Sequence, residues 1–246
     1  ANMYAPALGS GTAWTLDIKS KYEYDAAGYT PVFGLDIRPI KELTLGVRYE
    51  METKLEFDYT QKDNTITNSL GSGTLNTLVA SQLSKDGLKA NQNLPQILAL
   101  AAEYVVTPEL TVSAGGQIYF IGDADMEGYE DYFGTGWEVA LGATYKVMEP
   151  LKIGASIMYT DQGAKDSLLE SSSQLLTVSG NPVLNSIFFG LGGTYTVIPN
   201  LDLTLALGWV HYLPKDADIV LSSGNTLKVE YKKDVYNMAI GASYKI

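Results

Sequence analysis

Hydrophobic and polar residues alternate along much of this chain with a period of two. In residues 151–161, Leu151 and Ile153 share one parity, and small or polar residues occupy the other. Residues 201–210 repeat the pattern around Leu203. Because successive side chains of a strand point to opposite faces, each segment has one apolar face and one small or polar face. The apolar faces are roughly 9–11 residues long, which is the length that a tilted strand needs to cross a bilayer.

The strands are joined by two different kinds of connection. Proline-containing tight turns recur at residues 37–43, 104–110, 145–151 and 195–201. Proline suits such turns because it fixes φ and donates no hydrogen bond to a strand ladder. Short turns at one end of the strands and long loops at the other are typical of an outer-membrane barrel, with periplasmic turns and extracellular loops. The long polar segments are residues 60–93, 122–135, 162–185 and 214–234.

These signals predict an all-β fold: a transmembrane antiparallel up-and-down β-barrel. We expect residues 1–246 to form a single barrel domain with the four long segments as extracellular loops. The pattern predicts ten strands. This even number places both ends of the chain on the turn side, as a bacterial barrel requires. The predicted strands are residues 12–24, 30–38, 43–59, 94–106, 110–121, 136–147, 151–161, 186–197, 201–213 and 235–246.

Aromatic residues lie near both ends of the predicted strands. Tyr104 and Tyr145 precede short turns, whereas Trp137 and Trp209 lie near the long loops. Two aromatic rows about a bilayer apart indicate interfacial girdles. The alternative is a soluble β-sandwich with tyrosines in its core. The opposite parity is too rich in Gly, Ser, Thr and charged residues to pack a shared core, so we favour the barrel.

Composition excludes several functions. The formal net charge is −11 without a basic stripe, so we expect no nucleic-acid partner. The chain has no Cys and one His, His211, so common catalytic triads and zinc sites lack parts. We therefore expect no enzymatic activity, no cofactor and no metal site. No apolar run approaches 18 residues, and the start of the chain lacks a signal peptide, which indicates a mature chain or a piece of a longer one.

Charged residues recur on the parity that faces the lumen. Charges in a narrow lumen must pair or be hydrated, so we expect a polar network that stabilises the barrel. A selectivity filter is the alternative, since a porin constriction separates the two signs onto opposite walls. The residues assigned to this lumen network are Asp17, Lys19, Asp36, Arg38, Arg48, Glu50, Glu103 and Glu138.

One long loop carries an apolar pattern of helical period. Within residues 74–85, four apolar side chains fall on one helical face: Leu75, Leu78, Val79 and Leu83. Ser72 or Thr74 caps the predicted start, and Gly87 follows the end. Such a helix either packs on the mouth of the barrel or lines an apolar entry site.

The order of segments resembles a known transport family. The stretch 30–39, the strand 43–49, the Leu94-Pro95 entry after a long loop, and the end at residues 239–244 are similar to the carboxy-terminal part of the FadL-type outer-membrane proteins. That family transports long-chain fatty acids and other hydrophobic compounds. Its barrels have fourteen strands, an extracellular apolar groove and an amino-terminal hatch. The resemblance implies that this chain corresponds to ten of those strands, and that the stripe of Leu75, Leu78, Val79 and Leu83 contributes to the groove.

Sequence and resemblance together predict an outer-membrane barrel that binds and transports hydrophobic small molecules, such as long-chain fatty acids, without chemistry. The alternatives are a small diffusion pore and a structural or surface-interaction protein. We expect the protein in the bacterial cell outer membrane, with membrane lipids and a hydrophobic small-molecule ligand as partners. The alternating apolar residues at 241–246 also predict contact with the barrel assembly machinery through the last strand.

Overall fold

The computed structural model of the chain describes residues 2–6, 13–69, 71–74, 76–77, 80, 87–171, 174, 178, 180–220, 224 and 226–244. Antiparallel strands dominate this part of the chain, and the all-β antiparallel prediction is confirmed. In chain order the strands are β1 Asn2–Pro6, β2 Ala13–Asp25, β3 Val32–Ile40, β4 Leu43–Glu50, β5 Glu56–Asn68, β6 Lys89–Asn91, β7 Ile97–Val105, β8 Leu110–Tyr119, β9 Gly136–Met148, β10 Leu151–Asp161, β11 Ser186–Ile198, β12 Leu201–Tyr212, β13 Lys215–Val220, β14 Thr226–Tyr231 and β15 Asp234–Tyr244.

The helical elements whose bounds lie within the described residues are short. Two 3-10 turns cover Ile121–Asp123 and Glu130–Tyr132, and helix α1 covers Asp166–Glu170. Residues 73–74, 76–77 and 80 are also helical. Among the described residues, the structure has no helix with the length and hydropathy of a membrane span.

By their internal contacts, the residues divide into two units. The first consists of Ala1–Tyr29 and Lys54–Asn93, and the second of Thr30–Thr53 and Leu94–Ile246.

The second unit contains a sheet in which the described strands follow the order β3-β4-β7-β8-β9-β10-β11-β12-β15. Every neighbouring pair is antiparallel, so this sheet has the predicted up-and-down arrangement. The predicted tight turns lie between paired strands. Within the turn between β7 and β8, Val106 N–H donates to the Leu110 carbonyl at 2.9 Å, and the Pro150 carbonyl of the turn between β9 and β10 accepts from Thr196 N–H of β11 at 2.7 Å. The strand ends of β7 to β12 lie within three residues of the predicted ones.

The predicted third strand, residues 43–59, differs from the structure. It is divided into β4, in the second unit, and β5, in the first. Between them Thr53 is 4% exposed and forms an isolated bridge with Leu94, in which each backbone N–H donates to the other residue's carbonyl. This bridge lies beyond the last pair of β4 with β7, Glu50 with Ile97, and keeps the register of that pairing. Alternation of charged residues continues from Glu50 to Asp58, and therefore does not mark the break.

The first unit contains a sheet of order β1-β2-β5-β6 among its described strands. The predicted first strand, β2, accordingly pairs with β5 and β1. The segment predicted as loop 60–93 includes most of β5 and all of β6. Ion pairs cross this sheet: Lys62 contacts Glu23 at 2.7 Å, and Lys89 contacts Glu56 at 2.6 Å.

The most buried apolar cluster of the second unit lies among the connections at the long-loop end of the sheet. Leu168 and Leu169 of α1 are 0% and 2% exposed. Backbone hydrogen bonds tie the connections together, since Lys165 N–H donates to the Tyr132 carbonyl at 2.8 Å. Segments predicted only as polar loops therefore fold around an apolar centre, which we call the loop core. Its buried members are Phe133, Leu168, Leu169, Val178, Leu184, Ala217 and Tyr231.

Candidate functional site

The register of the large sheet assigns every paired residue to one of two faces. Residues directly opposite each other on antiparallel strands share a face. One face carries large apolar side chains that are exposed in the isolated chain, including Leu100 at 58% and Leu141 at 58%. In a membrane barrel this is the lipid face, and the small or polar face lines the lumen. We therefore take the small or polar face as the candidate site.

An apolar row crosses the lumen face, near the middle of β4 and β8 and near the long-loop ends of β12 and β15. Each member pairs with the next across neighbouring strands, which makes a continuous line perpendicular to the strands. The line begins beside Asp36 and continues through Gly46, Ala101, Gly115, Ala140, Met158, Phe188, Val210 and Val235. We call this line, from Gly46 to Val235, the apolar belt.

A polar row lies on the long-loop side of the belt. Its members are Arg48, Ala99, Gln117, Glu138, Thr160, Ser186 and Tyr212. Arg48 Nη2 contacts Glu50 Oε1 at 2.8 Å. Gln117 Nε2 donates to Glu138 Oε1 at 2.5 Å and also contacts the Tyr119 hydroxyl. Charges and amides in this row are therefore partnered within the lumen face.

A second polar row lies on the turn side of the belt. Its members are Thr44, Glu103, Ser113, Gly142, Ser156, Gly190, Gly208 and Asn237. The side chains of Asp36, Glu103 and Ser113 line a cavity of about 370 Å³. Asp36 reaches over the neighbouring strand, because a Cβ added at Gly46 would lie 2.8 Å from Asp36 Oδ1. Glycine at position 46 makes this close approach sterically possible.

The structure distributes the predicted lumen network over both units. Asp17 and Lys19 are exposed on β2 of the first unit. Arg48, Glu50 and Glu138 lie toward the long loops of the second unit, and their contacts are those given above. Asp36 and Glu103 line the cavity on the turn side. Arg38 is exposed on β3 near the turn.

The predicted apolar loop stripe cannot be placed against these features. Leu75, Leu78, Val79 and Leu83 all lie outside the described residues. Its contribution to a groove therefore stays a prediction.

Sequence reasoning missed the apolar belt because it counted charged residues on the lumen parity. The sequence contains the belt residues as Gly and Ala on alternate strands, together with Met158 and Phe188. Only the register of the strands shows that they lie in one line. It also missed a larger apolar cavity of about 800 Å³ on the lipid face. Ala114 and Gly116 form its floor, and Leu100 and Trp137 stand at its rim.

Comparisons with known proteins give the same fold. No protein-family model and no curated protein matches this sequence. Among solved structures, a Pseudomonas aeruginosa FadL homologue aligns with a TM-score of 0.62 at 15% identity, covering 94% of this chain and 62% of its own. The P. putida toluene transporter TodX aligns at 0.58 and 14% identity, covering 96% and 55%. CymD, a monoaromatic hydrocarbon channel, aligns at 0.54 and 11%, covering 95% and 56%.

These likenesses identify the class of fold as that of outer-membrane β-barrel channels. Within that class the fold is of the FadL type, and the predicted resemblance is confirmed at this level. The chain spans less than two thirds of the length of the three matched structures.

Proposed function

We propose that this chain forms part of the wall of an outer-membrane channel through which hydrophobic small molecules bind and pass without chemical change. The observation that carries the proposal is the apolar belt across the lumen face. In a pore that passes only polar solutes, Met158, Phe188 and Val210 would expose apolar surface to water, which is unfavourable. An apolar solute that covers this belt removes that surface from water.

The larger apolar cavity lies on the lipid face, and we assign it to membrane lipid and not to the transported molecule. It lies among side chains such as Leu100 and Val139, which face the hydrocarbon in a barrel. Lipid chains fill such a depression in the membrane. The proposal therefore places passage on the lumen face, although that face has the smaller cavity.

The resemblance to FadL-type proteins suggests long-chain fatty acids as cargo, whereas the matched structures named above include a toluene transporter and a monoaromatic hydrocarbon channel. The proposal includes the outer membrane of a Gram-negative bacterium as the location. It also includes recognition of the β15 end of the chain by the barrel assembly machinery.

Uptake by cells tests the proposal. Cells that produce the protein in the outer membrane are supplied with radiolabelled toluene or laurate, and initial uptake is compared with that of cells that lack the protein. Ala140 and Leu141 offer a matched pair, since they are adjacent in β9 but lie on the lumen and lipid faces. Ala140→Phe is expected to lower uptake, whereas Leu141→Phe leaves it unchanged. Uptake equal to that of cells lacking the protein, for both compounds, contradicts the proposal.

A small diffusion pore is the second candidate, and the cavity lined by Asp36 and Glu103 favours it. Two carboxylates on one wall attract cations. This candidate predicts cation-selective conductance in planar bilayers, which Asp36→Asn and Glu103→Gln together reduce. Conductance without uptake of either labelled compound would favour the pore over the hydrophobic channel.

A further inference from the structure

Phe188 occupies an unusual place on the lumen face. Its ring lies over two glycines, Gly190 on its own strand and Gly208 on the next. A Cβ added at Gly208 would lie 2.6 Å from Phe188 Cε2, and one added at Gly190 would lie 2.9 Å from Cε1. Real Cβ atoms essentially never approach so closely, so a larger residue at either position would displace the ring from this position.

The ring therefore leans along the sheet instead of standing across the lumen. Gly190 and Gly208 are paired directly, which gives the ring a floor two strands wide. In this position the half-buried Phe188 offers an aromatic surface to the interior. Met158 on one side and Val210 on the other continue the surface along the belt.

The apolar belt is one residue wide along each strand, and this width limits the size of the molecule that lies against it. Residues i and i+2 of a strand are about 7 Å apart, so a polar row lies about that distance from the belt on either side. On β10, the strand next to Phe188, these polar positions are Thr160 on the long-loop side and Ser156 on the turn side, whereas the turn-side positions of β11 and β12 are Gly190 and Gly208. A compact apolar molecule lies against the belt alone. A long acyl chain that crosses the belt along β10 also covers the polar side chains of Thr160 and Ser156.

The neighbouring residue provides an internal contrast. Phe189 lies on the lipid face, where its ring stacks on Trp209 with centroids 5.6 Å apart. Two phenylalanines of equal size and adjacent position thus lie on opposite faces of β11. Substitution at one changes the lumen, and the same substitution at the other changes only the membrane side.

We propose that Phe188, held over Gly190 and Gly208, is a specificity-determining residue that makes the channel prefer compact apolar molecules over long acyl chains. This inference rests on the proposed function. Aromatic rings pair favourably with one another beyond simple area burial, so a ring-shaped solute gains from this surface and a linear chain gains less.

The test compares the ratio of toluene uptake to laurate uptake in cells that produce each variant. A ratio is insensitive to the amount of protein in the membrane. Phe188→Ala is expected to lower the ratio by about fivefold, the size of one lost aromatic pair. Phe189→Ala, the matched control on the opposite face, is expected to leave the ratio within about twofold of the wild type. Heat-dependent migration in gels confirms that each variant is folded.

A second variant tests the glycine floor. Gly208→Ala puts a methyl group where the ring lies, so the ring must rise into the passage and uptake of both compounds falls. The double variant Gly208→Ala/Phe188→Ala has no ring to displace, and its uptake is expected to return to that of Phe188→Ala.

The outcomes separate this inference from the proposed function. If the wild type takes up the compounds, and Phe188→Ala has the same ratio of toluene to laurate uptake as Phe189→Ala, then Phe188 does not determine specificity. The proposed channel function is unaffected by that result. A Gly208→Ala variant with wild-type uptake also overturns the inference, because the ring is then not held by the floor. Absence of any wild-type uptake overturns the proposed function, and the inference with it.

Discussion

The side-chain amide of Gln117 donates a hydrogen bond of 2.5 Å to the carboxylate of Glu138 on the next strand. The two residues are direct partners in the β8–β9 ladder and are both partly buried on the lumen face. The amide gives this carboxylate a hydrogen-bond partner on the lumen face, as a partly buried charged group requires. The pair therefore links β8 to β9 through their side chains, in the polar row on the long-loop side of the belt.

Removing either partner is expected to destabilise the fold. Gln117→Ala and Glu138→Ala should each lower the free energy of unfolding by about 1.5–3 kcal/mol, the typical contribution of a hydrogen bond to a charged group. Because they lose the same bond, the double variant should be less destabilised than the sum, by about 1 kcal/mol. Urea titration of protein folded in lipid vesicles measures all three values. Strict additivity would show that the two side chains do not interact.

The loop core is expected to be a cooperative structural element. Leu168 is fully buried, so Leu168→Ala leaves a cavity and should destabilise the loop core by about 2–5 kcal/mol. Limited proteolysis with mass mapping should then show new cleavage within residues 162–185 and 213–233, which include β13 and β14, with the strands of the large sheet intact. Leu227→Ala serves as the control, because Leu227 of β14 is 40% exposed. Equal cleavage in both variants would contradict a packed core.

The loop core is also expected to weaken at alkaline pH. Burial, and then the neighbouring Tyr132, raise the pKa of Tyr129 above its ordinary value of 10.0. Tyr129 packs edge-on against Phe133, with ring centroids 5.3 Å apart. Since the folded pKa exceeds the unfolded one, the stabilisation is complete below pH 10 and is lost as pH rises through the folded pKa.

Protease sensitivity of residues 122–135, measured with an alkaline protease between pH 9 and pH 12, checks this expectation. Tyr129→Phe keeps the packing but removes the titrating hydroxyl, so the rise in cleavage over this range should become smaller. An unchanged pH profile in Tyr129→Phe would assign the effect to another group.

The assignment of the two faces predicts opposite tolerance to charge. Leu205, 50% exposed near the middle of β12, lies on the face assigned to lipid, and the adjacent Thr204 lies on the lumen face. Leu205→Lys should destabilise the protein in vesicles by about 2–4 kcal/mol, the cost of a lysine at the bilayer midplane. Thr204→Lys loses a 2.9 Å hydrogen bond to Thr194, which costs about 1 kcal/mol, but leaves the new charge in water.

Urea titrations of both variants in the same vesicles compare the two costs. If Thr204→Lys were the more damaging change, the lipid and lumen faces would have to be exchanged, and the apolar belt would lie outside the channel.

Much of the fold could be predicted from local pattern. Strand β10 was predicted at its observed bounds, and the short turns after β7 and β9 were predicted from their prolines. Such features depend on neighbours in sequence: side chains alternate along every strand, and proline restricts φ wherever it occurs. The division between β4 and β5 could not be predicted in this way, because the alternation of charged residues continues through it from Glu50 to Asp58.

By itself, then, the sequence determined the period, the length and the apolar parity of the strands, since these follow from local geometry and from the cost of exposing polar groups to lipid. Only the tertiary structure decided which residues share a row. Pairing of distant strands aligns Ala140, Met158, Phe188 and Val210 into one belt and brings Gly208 beneath a ring twenty residues away in sequence. Register is a property of contacts between strands, and a one-residue slip of any strand would move its side chains to the opposite face and interrupt the belt.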